Sequence, residues 1–109
     1  MRILCNNHGK QLGILVSPDL FEKTMTDEVL HLASVKVITF VDSGVKLFSM
    51  LISEDFNNKN NIPKDGVIIL DGDYPEWYAE PKGICENCIK EALERSDLTE
   101  LSKTLMSDV

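Results

Sequence analysis

All three cysteines and one of the two histidines of this 109-residue chain fall into two pairs, Cys5-Asn6-Asn7-His8 and Cys85-Glu86-Asn87-Cys88. Each pair has two residues between its members, a spacer that lets both side chains turn toward one ion. Zinc takes four soft or borderline ligands in a tetrahedron, and three cysteines with one histidine are a standard structural set. The first pair lies in a turn-rich stretch followed by Gly9, whose backbone can bend tightly around a metal. The second lies where a helix is expected to begin. Orphan N–H groups and the positive end of the helix dipole there favour thiolates, the form that binds metal. The spacing therefore predicts one structural zinc ion held by Cys5, His8, Cys85 and Cys88.

Other chemistries use the same residue types. Buried free cysteines behave as small hydrophobes, a helix-start Cys-x-x-Cys can be a redox pair, and thiolate sets also suit iron. A redox pair leaves Cys5 and His8 unexplained and lacks a βαβ context. A catalytic zinc keeps an open position, whereas four donors close the shell. His-x-Glu and His-Glu-x-x-His are absent, and so are a phosphate loop and a Gly-x-Ser-x-Gly. His31 is expected at the surface. Asp71 and Asp73 could take a hard cation, but Asp-Gly-Asp is more often a turn. The chain reads as not an enzyme.

These pairs need elements to position them. Arg2–Leu4 is a short apolar entry, and Leu12–Val16 reads as a strand. Ser17-Pro18-Asp19 starts a helix, with Ser at the N-cap and Pro at the first position. Leu20, Phe21, Met25, Val29 and Leu32 recur at helical spacing, which predicts one amphipathic helix over Pro18–Ala33. Val35–Val41 is rich in β-branched residues, Asp42-Ser43-Gly44 is a turn signal, and Val45–Ser53 completes a hairpin. Residues 57–66 read as a polar loop and Val67–Leu70 as a buried strand. Cys85, Cys88, Ile89, Ala92 and Leu93 share one face of a helix running to about Arg95. Asp97-x-x-Glu100 resembles a capping box before a short helix carrying Leu98, Leu101, Leu105 and Met106. The fold class expected is α+β, one domain over residues 1–109. It has a small, mostly antiparallel β-sheet, an amphipathic helix near the N-terminus and C-terminal helices, stapled by the zinc site.

A ligand pair in an N-terminal turn and another at a helix N-terminus is the layout of treble-clef zinc fingers. Leu4-Cys5-Asn6-Asn7-His8-Gly9-Lys10 resembles their zinc knuckle. Gly83-Ile84-Cys85-Glu86-Asn87-Cys88-Ile89-Lys90-Glu91-Ala92-Leu93 resembles the helix-borne second pair. The resemblance is limited to the two ligand pairs. His8 stands where a second knuckle cysteine is usual, and residues 9–84 lie between the pairs, far more than a minimal finger holds. It implies a structural zinc and carries over no partner.

Charge narrows the partners. The chain has 18 Asp+Glu against 11 Lys+Arg, net −7, which argues against a phosphate-backbone binder and makes nucleic acid an unlikely partner. No apolar run approaches the roughly 20 residues of a membrane span. The start lacks the apolar stretch of a signal peptide, and an odd cysteine count argues against a disulfide framework, so a cytoplasmic protein is expected. Residues 54–100 carry the whole −7. The densest part, Asp71-Gly72-Asp73-Tyr74-Pro75-Glu76-Trp77-Tyr78-Ala79-Glu80, sets four acids around three aromatics with no base. It is either a solvated loop or a docking surface for a protein with a basic face, in which Asp71, Asp73, Glu76 and Glu80 steer and Tyr74, Trp77 and Tyr78 anchor. On the docking reading, Trp77→Ala leaves the fold largely intact and weakens partner binding. The functions that follow are a non-enzymatic zinc-binding interaction domain, an acidic immunity or inhibitor protein covering the basic active site of a toxin or nuclease, and, last, a nucleic-acid-associated zinc finger.

Overall fold

Two periodic signals, alternation in the strands and helical spacing after residue 85, organise the chain into two layers of apolar contacts on either side of one sheet. The computed structural model describes residues 2–6, 8–26, 28–31 and 34–106. Strands β1 (Arg2–Cys5), β2 (Gly9–Val16), β3 (Val35–Asp42), β4 (Val45–Ser53), β5 (Val67–Leu70) and β6 (Lys82–Cys85) form a sheet in the order β1-β2-β4-β3-β5, with β6 also paired to β2. Helices α1 (Pro18–Met25), α2 (Glu54–Lys59), α3 (Glu86–Arg95) and α4 (Thr99–Met106) complete the α+β fold, with a 3₁₀ turn at Glu76–Ala79.

The sheet is mixed where a mostly antiparallel one was expected. Pairings β1–β2, β2–β6 and β3–β4 are antiparallel, but β2–β4 and β3–β5 run parallel. Both parallel pairs join alternate strands, so each is separated in the chain by one antiparallel strand and by a helix, α1 or α2. The β3–β4 hairpin turns at Ser43 and Gly44, both at positive φ (52° and 77°), the combination that a two-residue turn matching the sheet's twist requires.

Alternation along β3 and β4 sends side chains to opposite faces. Val35 and Leu51 join Ile14, Val16 and Ile84 in one cluster, covered by Leu20 of α1, Ile89, Ala92 and Leu93 of α3, and Leu105 of α4. Ile38, Phe40, Met50 and Ile52 point the other way, under Phe56 of α2 and Ile62. The first cluster backs the helix that carries Cys88.

Three local expectations are corrected. The helix predicted over Pro18–Ala33 stops at Met25, and Glu28–His31 are not helical; Leu32 and Ala33 lie outside the described residues. Thr26 ends it, its backbone N–H bonded to Glu22 O and its single hydroxyl proton within reach of Glu22 O, Lys23 O or the Glu28 carboxylate. Leu30 is nonetheless buried, its N–H donating to Ser96 Oγ at 2.8 Å. Second, Asn57–Lys59 belong to α2 rather than to a loop, because Ser53 Oγ accepts the Phe56 N–H at 3.1 Å and caps the helix. Third, Asp97 opens no capping box. It takes φ 61° and closes α3, with Asp97 N–H bonded to Glu94 O and Leu98 N–H to Leu93 O. That is a Schellman closure, with Leu93 and Leu98 both in the first cluster.

A hydroxyl–carboxylate knot joins the N-termini of α1 and α2. Ser17 Oγ accepts the Ser53 N–H at 3.0 Å, and Asp19 Oδ1 accepts the Leu20 N–H at 3.0 Å. Burial raises the pKa of Asp19, but the hydroxyls of Ser53 and Ser17 and the Leu20 N–H outweigh it and leave it lowered. A carboxyl lowered in the folded state stabilises the protein above its unfolded pKa, and that stability fades as pH falls through the folded value. Asp19→Asn is expected to cost about 1 kcal/mol at pH 7 and nothing near pH 2, read from urea midpoints at both pH values. Equal losses at the two would assign Asp19 no ionic role.

Candidate metal centre

The first ligand pair is built by the β1–β2 hairpin. Cys5 ends β1 and pairs in register with Gly9, which takes φ 73° with nothing within 4 Å of where a Cβ would sit. Backbone conformation, not crowding, therefore favours glycine there. The Gln11 side-chain amide donates to His8 O at 2.9 Å, holding the turn.

The second pair is built by the β6–α3 junction. Gly13 pairs with Cys85 across β2–β6, which brings the end of β6 beside the first hairpin. Cys85 is then the N-cap of α3 and Cys88 stands in its first turn. Asn87, between the two, donates from Nδ2 to Gln11 Oε1 at 2.8 Å. Gln11 thus spans the two pairs, an arrangement that nothing in their spacing announces.

The junctions bring Cys5, His8, Cys85 and Cys88 together, with one ligand atom from each lying within 4.8 Å of the others. His8 Nδ1 is 3.4 Å from Cys5 Sγ and 3.6 Å from the sulfurs of Cys85 and Cys88; Cys5 and Cys88 sulfurs are 3.4 Å apart. A tetrahedral centre with metal–sulfur bonds near 2.3 Å and a metal–nitrogen bond near 2.0–2.1 Å separates S from N by about 3.6 Å and S from S by about 3.8 Å. These four separations match that spacing to within about 0.4 Å. They form a Cys3His cluster that could hold a metal ion, and all three cysteines are free of disulfides.

The sulfurs also bear on one another's ionisation. Burial, then the contact with Cys5, pushes the Cys88 thiol up to about 12. Sulfurs packed this closely resist ionising beside one another, and a central divalent ion reverses that preference. On the far side of the imidazole, His8 Nε2 lies 2.8 Å from Glu91 Oε1, one helical turn after Cys88. Glu91, and next Cys5, raise the pKa of His8.

Sequence reasoning missed Glu91. A carboxylate three residues after a helix-borne ligand is a usable signal, because ligating histidines commonly give their second N–H to one. A proton held on Nε2 leaves Nδ1 bare toward the sulfurs. Glu91→Ala is expected to weaken zinc binding by about 10- to 100-fold. The Glu91 side chain is 60% exposed, so the zinc-loaded variant should keep the parent's secondary structure. A chelator-competition titration checks the first and a circular-dichroism spectrum the second; unchanged affinity would reduce the contact to a surface pair.

A groove of about 400 Å³ opens beside the sulfurs, its lining including Leu4, Phe21, Met25 and Arg95 together with Cys5, Cys85 and Cys88. Within the groove Cys85 is buried, whereas Cys5 and Cys88 are half-buried.

The acidic-aromatic segment divides. Asp71, Asp73, Tyr74, Glu76 and Glu80 are exposed, and Glu80 pairs with Lys59 at 3.4 Å. Trp77 and Tyr78 are half-buried against the second cluster. Phe40, fully buried, lies 5.9 Å from Trp77 and 5.7 Å from Tyr78 between ring centroids, and Phe56 meets Trp77 edge-on at 5.6 Å. Trp77 thus packs on the fold, which opposes the expectation that it is dispensable to it. His31 is exposed, as expected.

Among the described residues no helix is long and apolar enough to cross a membrane. Comparison of the chain with known protein families, with curated proteins and with solved structures finds no match.

Proposed function

We propose that the protein is a non-enzymatic zinc-binding interaction domain whose metal is structural. The observation that carries this reading is the convergence of four donor atoms from residues far apart in sequence at tetrahedral spacing. Three sulfurs and one imidazole nitrogen suit zinc, and four donors leave no position for a water to be activated. The ion would fasten the β1–β2 hairpin to the first turn of α3, in a layout similar to that of treble-clef fingers. Elemental analysis of protein purified under reducing conditions without added metal is expected to give one zinc per chain. A chain carrying no metal ends the reading, and one carrying iron changes the ion.

The interaction role draws its support from the exposed carboxylates Asp71, Asp73 and Glu76 beside Tyr74, within the chain segment 54–100 that holds the whole net charge. Such a face suits a protein partner with a basic surface, which it would steer by long-range attraction. A partner complex that weakens steeply with added salt supports this role. One insensitive to salt, or to neutralising these three carboxylates, removes it.

A further inference from the structure

We infer that Cys5 and Cys88 form a two-electron oxidation site, where a hydroperoxide joins the two sulfurs in a disulfide and displaces the metal. This rests on the zinc reading of the cluster and concerns how that site is undone.

Sequence spacing alone would nominate Cys85 and Cys88, the Cys-x-x-Cys at a helix start, as the redox partners. The geometry points to a different pair. Cys5 Sγ lies 3.4 Å from Cys88 Sγ, closer than the roughly 3.8 Å that two sulfurs keep around a tetrahedral zinc. All three cysteines line the groove, but Cys5 and Cys88 are half-buried whereas Cys85 is 2% exposed. Cys85 is also held twice by backbone, as the last residue of β6 paired with Gly13 and as the N-cap of α3. Cys5 is likewise the last residue of its strand, paired with Gly9, but it starts no helix. Reactivity in thiol oxidation follows thiolate character and access, and zinc ligation supplies the thiolates.

The chemistry balances with hydrogen peroxide as the oxidant. One thiolate of the pair attacks a peroxide oxygen; the O–O bond breaks, hydroxide leaves, and the sulfur becomes a sulfenic acid. The second thiolate attacks that sulfur, the S–S bond forms, and a second hydroxide leaves. Two thiolates give up two electrons, the peroxide accepts them, and both hydroxides leave as water after taking up protons. With only His8 and Cys85 remaining as donors, the ion departs.

The test uses the full chain purified with its zinc, treated with hydrogen peroxide beside a zinc-responsive dye, then alkylated and digested with trypsin. Cleavage after Arg2, Lys10, Lys82 and Lys90 leaves Cys5 in peptide 3–10 and both other cysteines in peptide 83–90. A second cleavage after Glu86 separates Cys85 from Cys88. The expected result is one zinc released per disulfide, peptide 3–10 joined to peptide 87–90, and Cys85 alkylated. A disulfide closed within 83–90, a link from Cys5 to Cys85, or oxidised single cysteines without any link would overturn the proposal. Protein that holds no zinc at the outset overturns the metal reading instead. The same mapping on its reduced thiols then judges the pairing alone.

Discussion

Cys88→Ser is expected to abolish zinc binding and with it most of the cooperative thermal transition. The sulfur is one of four donors, and a structural zinc site contributes on the order of 10 kcal/mol of folding free energy in small domains at neutral pH. A domain of this size has a net stability of roughly 5–15 kcal/mol, so loss of the ion is comparable to the whole. Replacing a half-buried Cys by Ser would cost about 1 kcal/mol through lost packing alone, which makes the two causes separable. The elements at risk are β1, which pairs with β2 as the outer strand of its hairpin, and α3, whose Ile89, Ala92 and Leu93 cover the first cluster. Against this stands a sheet with a second cluster around Phe40 and Met50 that does not touch the metal. The measurement is a pair of melts, parent and variant, each with and without chelator, together with zinc content. A variant that melts within a few degrees of the zinc-loaded parent would make the cluster an accessory to a fold that stands without it. Parent protein in chelator should behave as the variant does, since both lack the same ion.

The site was more legible in the sequence than its surroundings. Four residues whose only shared property is ligand chemistry stand in two pairs of equal spacing, and a two-residue spacer has few other uses. The hairpin at Ser43–Gly44 was legible for a similar reason, since its turn residues and β-branched flanks agree. Contacts that depend on which residues face each other after folding were not. Glu91 is one of 18 acids, and nothing local marks it out until α3 turns it toward His8. Gln11 lies just before the strand read over Leu12–Val16, with nothing to mark it, although it holds the His8 turn and accepts from Asn87. The end of α1 was out of reach because apolar spacing continues through Val29 and Leu32, whereas the Thr26 and Glu28 backbone N–H groups, with the Thr26 hydroxyl beside them, close on the carbonyls of Glu22 and Lys23. Val29 is exposed, so the periodicity there had no core to face. The parallel pairings were equally out of reach, because strand direction is decided by where α1 and α2 return the chain.

The acidic-aromatic segment shows how composition can mislead about roles, and Trp77→Ala measures by how much. Aromatics among carboxylates suggested anchors waiting for a partner, yet Phe40 already gathers Phe48, Tyr74, Trp77 and Tyr78 around it. Full burial of a Trp makes its truncation cost about 3–5 kcal/mol. Trp77 is half-buried, and its contacts with Phe40 and Phe56 add about 0.5–1.5 kcal/mol each beyond area. The expected loss is about 2–3 kcal/mol, which lowers the melting temperature by roughly 10 °C or more in a domain of this size. Zinc content should stay at the parent's value, because Trp77 packs on the face of the sheet away from α3. Neutralising Asp71, Asp73 and Glu76 together should leave stability within about 0.5 kcal/mol, since all three are exposed. Partner binding should respond in the reverse sense, weakening with the carboxylates. A Trp77→Ala protein that melts like its parent would return the ring to the surface role that composition suggested, and the second cluster would have to hold without it.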